Sequence, residues 1–86
     1  MTEQEFKSLL IPFKNLLYFV AQKVLNDQHE AEDVVQETYL KAWKTRSKLA
    51  EIENLKAWLC TVTRNLAIDR SKQINKNRSP LSFASQ

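Results

Sequence analysis

Asp33, Gln36, Glu37 and Leu40 recur at spacings i, i+3, i+4 and i+7. On a helix turning about 100° per residue they share one face. The chemistry open to such a patch is recognition. Carboxylates accept charge-assisted hydrogen bonds from guanidinium groups, and an exposed isobutyl group can fill an apolar notch. An acidic rim around one leucine therefore suits a basic partner helix. On spacing alone, a solvated helix face with one stray leucine remains an equal reading, although such a face usually mixes Lys with Glu.

A second set lies downstream. Thr61, Asn65, Asp69 and Lys72 are spaced i, i+4, i+8 and i+11, with Arg64 and Ile68 adjacent. Thr and Asn can bond base edges or phosphate oxygens, while Lys72, Lys76 and Arg78 add attraction to phosphate. Asp69 is out of place near phosphate and is read as a partner for Lys72 at i+3 or as an orienting group. The plain alternative is a basic, solvated helix end, which the helix dipole favours in any protein.

Other chemistry finds little support. There is no Gly-rich phosphate loop, no paired-carboxylate cleft and no Cys/His or Ser/His arrangement, so no enzyme is expected. Cys60 and His29 fall short of a metal-ligand set, and neither a metal nor a cofactor is expected. Cys60 is read as a small packed thiol, with only Arg64 at i+4 to lower its pKa. Trp43 and Trp58 can stack on a base, but each sits beside an apolar stripe and is read as core.

The elements that must position these residues are helical. The chain has 86 residues, no Gly and two Pro, which disfavours tight hairpins and favours an all-α chain of one domain. A chain this short buries only about 60% of its unfolded surface. Thr2 to Glu5 has the capping-box pattern of a helix start. Pro12 is expected to break or kink that helix, bias Ile11 away from the helical region, and sit in the first turn of the next. Phe13, Leu16, Leu17, Val20 and Val24 give the second helix a core stripe ending near Leu25. Asp27 or Gln28 opens the acidic helix, which is expected to run to Thr45 or Lys48 with Ala31, Val35, Tyr39 and Ala42 on its core side. Residues 47–53 are read as a loop with at most one helical turn. Asn54 is an N-cap for a helix to about residue 75, with Leu55, Trp58, Leu59, Val62 and Leu66 inward. The fold expected is a small bundle of three main helices plus a short N-terminal helix broken at Pro12. It occupies residues 1–76, and residues 77–86 form a flexible tail or the start of an interdomain linker.

Charge is unevenly spread. From Asp27 to Glu37 there are five acids and no Lys or Arg; from Arg64 to Arg78 there are five bases and one acid. The two regions want partners of opposite sign. The chain has no signal peptide and no twenty-residue apolar run, so a cytoplasmic location without membrane contact is expected.

Two stretches resemble a known family. Ala31-Glu32-Asp33-Val34-Val35-Gln36-Glu37, followed by Tyr39-Leu40-Lys41-Ala42-Trp43, resembles conserved region 2.2 of extracytoplasmic-function sigma factors. Ala57-Trp58-Leu59-Cys60-Thr61-Val62-Thr63-Arg64-Asn65-Leu66-Ala67-Ile68-Asp69 resembles region 2.4, the helix that meets the promoter −10 element. The likeness spans roughly residues 5 to 76. It implies a transcription initiation role in which Asp33, Gln36, Glu37 and Leu40 bind the β′ clamp helices of RNA polymerase core. It implies that Thr61, Arg64, Asn65, Ile68, Asp69, Lys72 and Lys76 face promoter DNA that is partly single-stranded, with Asn65 at the family's recurrent asparagine. Ile68 departs from a position often polar in the family. Ser47, Lys48, Leu49, Ala50 and Glu51 fall on the family's base-capture loop; they include no aromatic, so capture by backbone and small polar groups is implied. An anti-sigma factor is a further candidate partner, and the chain is expected to stop before a region 4 helix-turn-helix domain. A free-standing DNA-binding helical domain or a protein-binding adaptor bundle is the alternative.

Overall fold

The computed structural model describes residues 2–78, and all of its elements are helical. Helix α1 spans Glu3–Leu10, α2 Lys14–Leu25, α3 Gln28–Lys44 and α4 Leu55–Arg78, with 3₁₀ turns at Ile11–Phe13 and Arg46–Glu51. Helices α2, α3 and α4 each pack against the other two. The expected three-helix bundle with a short leading helix is therefore present. The tail expected over residues 77–86 lies outside the described residues from 79 onward, and α4 itself continues to Arg78.

Local signals set most boundaries. Thr2 Oγ1 accepts from the Glu5 amide at 3.1 Å and Glu5 Oε1 accepts from the Thr2 amide at 2.8 Å, completing the capping box. The bonds from the Thr2 backbone and side chain hold the Glu5 carboxyl below its ordinary pKa. Pro12 does not throw the chain into an extended break. Ile11 keeps helical angles (φ −51°, ψ −41°), and the backbone tightens into a 3₁₀ turn instead. The fully packed Leu10 and Leu17 on either side override the pre-proline bias.

Without glycine, the left-handed residue that ends α2 is Asn26 (φ 52°, ψ 37°), whose amide reaches the Gln22 carbonyl at 2.7 Å. Asp27 Oδ1 then caps α3 by accepting from the Glu30 amide. Helix α3 stops at Lys44, short of Lys48, because its last carbonyls find other donors. Thr45 Oγ1 reaches the carbonyls of Lys41 and Ala42, and Arg46 Nη1 reaches that of Trp43. Asn54 Oδ1 accepts from the Ala57 amide and caps α4.

The core has two parts. Phe6, Leu10, Leu17, Val35, Ala42, Leu49 and Leu59 form the larger, with Trp43 and Trp58 half-buried against it. Phe6 meets Trp43 edge-on at 5.0 Å between ring centroids, and the Arg46 guanidinium lies 3.9 Å from the Trp43 ring centre. Ala21, Ala31, Val34 and Ala67 form the smaller part. Its alanines come from three different helices, so the helices approach closely there.

One polar pair is sealed inside. Thr38 Oγ1 donates to the Val34 carbonyl at 3.0 Å, which uses its only proton. Thr63 Oγ1, at 2.9 Å, must therefore be the donor to Thr38, and it ties α4 to α3. Thr38→Val should cost about 1–3 kcal/mol in urea unfolding, because it leaves the buried Thr63 hydroxyl without an acceptor. Thr38→Val/Thr63→Val should recover most of that. Additive losses in the double variant would show that the two hydroxyls act independently.

Candidate nucleic-acid and polymerase interface

Helix α3 presents its two faces as the periodicity requires, with one enlargement. Ala31, Val35 and Ala42 are buried and Tyr39 half-buried, but Val34 and Thr38 are also fully enclosed. The inward face is thus wider than a single stripe, since α3 is gripped by α2 on one side and α4 on the other. On the outward side Asp33, Gln36 and Leu40 are exposed, and Glu37 is half-buried. Leu40 keeps 60% of its surface in solvent. It forms part of an apolar groove between α1 and α3 whose other walls are Phe6, Tyr39 and Trp43, with Glu3, Lys7 and Gln36 also lining it. The Tyr39 hydroxyl is buried without a hydrogen-bond partner, and that burial raises its pKa.

On α4, Thr61, Arg64, Asn65, Asp69, Lys72 and Lys76 are all exposed and Ile68 is half-buried. The structure brings these residues onto the outer surface of one helix, away from buried Leu59, Thr63 and Ala67. The inward face of α4 is centred on those three; Leu55, Trp58, Val62 and Leu66 flank it, half-buried. Thr63 and Ala67 are small, so their inward placement carries little hydropathy signal. Asp69 forms no ion pair with Lys72, since the ion pairs among the described residues all involve Arg70.

Arg70 is the residue that periodicity misplaces, counting it only as part of the basic end of α4. Its Nη1 donates to Glu30 Oε1 at 2.6 Å and lies 3.7 Å from Asp33 Oδ2, while Nη2 donates to Glu37 Oε1. The hydrogen bond to Glu30 and then that to Glu37 hold its pKa above the ordinary arginine value, against the effect of burial. Glu30, Glu37, Leu66, Asp69, Arg70, Gln73 and Ile74 line a groove between α3 and α4. The acidic face and the α4 surface therefore share an edge. No signal within either helix alone could have found this, because it depends on the packing of one against the other.

In the segment after α3, Ser47, Lys48, Ala50 and Glu51 are exposed, whereas Leu49 is buried in the larger core. Its side chain holds the 3₁₀ turn in place. Among the described residues no group of His, Cys, Asp and Glu is arranged to hold a metal ion, and no helix is long and apolar enough to cross a membrane.

An all-α bundle with an acidic, leucine-bearing helix set against a long basic helix defines a recognition domain. Residues 9–78 match the sigma-70 region 2 family, and the chain belongs to that family, as region 2 of an extracytoplasmic-function sigma factor. It is similar to the ECF RNA polymerase sigma factor SigL of Mycobacterium tuberculosis, with 40% identity over 58 residues, 66% of this chain and 33% of that protein. It is also similar to SigW of Bacillus subtilis, with 27% identity over 71 residues, 83% of this chain and 38% of that protein. SigG of M. tuberculosis is 30% identical over 77 residues, 90% of this chain and 20% of that protein. The chain thus spans about a third of the length of the first of these relatives. No solved structure matches it significantly.

Proposed function

We propose that this domain carries no catalysis and acts in transcription initiation by joining RNA polymerase core to the promoter −10 element. Asp33, Gln36, Glu37 and Leu40 dock on the basic β′ clamp helices. The outer face of α4, from Thr61 through Arg64, Asn65, Ile68, Asp69 and Lys72 to Lys76, meets partly opened promoter DNA. Ser47, Lys48, Ala50 and Glu51 offer backbone and small polar groups to an unstacked base, while Leu49 serves as the anchor of that segment. The observation that carries the reading is Leu40, which stays solvent-exposed beside carboxylates and an apolar groove in a chain that buries its other helix-facing leucines. Each contact is weak alone; the DNA contact is salt-dependent and gains strength only when polymerase holds both.

The test is capture of a β′ clamp-helix fragment by the wild-type chain and by Asp33→Ala/Leu40→Ala. Those two positions are chosen because Glu37 also bonds Arg70 inside the domain. Capture lost in the variant, with helicity unchanged, is the expected result. If the wild type captures nothing, the docking reading is wrong and a free-standing DNA binder or an adaptor bundle takes its place.

A further inference from the structure

The carboxylates on α3 do not stand alone. Arg70 reaches across from α4 and lies among Glu30, Asp33 and Glu37, which are spaced i, i+3 and i+7. Their side chains are 32%, 62% and 44% exposed, and Arg70 is 26% exposed. The guanidinium therefore sits on the inner edge of the acidic patch, bonded to the two more enclosed carboxylates, with Asp33 left facing solvent.

We propose that Arg70 is a positioning residue for the docking face, holding Glu37 in the conformation that receives a basic partner. This rests on the docking reading above. The bond from Arg70 uses Glu37 Oε1, and a carboxylate offers about four lone-pair sites. Glu37 thus keeps acceptor capacity for a second guanidinium after its rotamer has been fixed. An unanchored glutamate would have to be ordered at the moment of docking, and that ordering weakens association. The same residue places the docking helix and the DNA-facing helix under one bond, since Arg70 follows Asp69 directly on α4.

A competing role makes the opposite prediction. If Arg70 merely occupied sites the partner needs, removing it would unmask a more negative patch and tighten binding. Arginine also suits the positioning role better than lysine, because its planar fork serves two carboxylates at once.

The experiment titrates the β′ clamp-helix fragment onto the whole chain by calorimetry. It compares wild type, Arg70→Ala, Glu37→Ala, Arg70→Ala/Glu37→Ala and Arg70→Lys, with circular dichroism on each. Arg70→Ala should weaken docking by about two- to tenfold, the ordering cost of one long side chain. The effect should vanish in the Glu37→Ala background, and Arg70→Lys should recover part of it. Unchanged or tighter docking by Arg70→Ala overturns the inference, as does a loss that persists in full without Glu37, which would mean that Arg70 only packs α4 in place. If Arg70→Ala unfolds, Arg70→Gln is judged by the same outcomes. Absence of binding by the wild type removes the docking reading and this inference together. Binding that depends on Asp33 and Leu40 but ignores Arg70 overturns this inference alone.

Discussion

Leu59→Ala is expected to lower the unfolding free energy by about 2–5 kcal/mol. Leu59 is fully buried in the larger core, on the helix that packs against both α2 and α3. Cutting it back removes apolar contacts and leaves a cavity that three helices, braced by Leu17, Val35 and Ala42, can close only in part. A domain of this length has about 4–13 kcal/mol of stability in total. The variant should therefore unfold at much lower urea, with the slope of the transition unchanged. Leu40→Ala makes the informative control. It removes the same atoms from a side chain that is 60% exposed, and should change stability by no more than about 0.5 kcal/mol. One leucine holds the bundle and the other is free for a partner. Equal losses at the two positions would refute that division.

Asn65→Ala is expected to weaken binding to −10 promoter DNA by about 5- to 150-fold, the equivalent of one side chain reading a base edge. Asn65 is exposed on the outer face of α4, in register with Thr61, Asp69 and Lys72. Its amide can donate and accept at once, as readout of a single base demands. The loss should be concentrated on promoters carrying the preferred base and be small on variants at that position. Lys72→Ala and Lys76→Ala should behave differently. Each should weaken all sequences alike and reduce the slope of log affinity against log salt by about one or slightly less. Fluorescence anisotropy on a promoter series, with the domain held on polymerase and salt varied, separates the two patterns. A uniform loss on every sequence for Asn65→Ala would move that residue from base readout to phosphate contact.

Much of this was legible in the chain itself. The capping box at Thr2 and Glu5, the caps at Asp27 and Asn54, and the apolar stripes on α2 and α3 depend on residues close together in sequence. Local hydrogen bonding and helical period suffice to place them. The exposed rim of Asp33, Gln36 and Leu40 was legible for the same reason, since one helix carries it whole.

Three features needed the tertiary structure. Pro12 tightens the chain where its local preference is to extend it, because Leu10 and Leu17 are held by the core on both sides of the turn. Leu49 belongs to that core although it lies in a segment without a helical period. Thr38 with Thr63, and Arg70 with Glu30 and Glu37, are joined across 25, 40 and 33 residues of sequence, respectively. Which polar side chains meet there depends on how α4 rotates and docks against α3, and small residues such as Ala31 and Ala67 allow that close approach. Periodicity states which residues share a face of one helix. Only the packing of helix on helix decides which faces meet, and so whether an arginine on the basic helix faces solvent or steadies the acidic one.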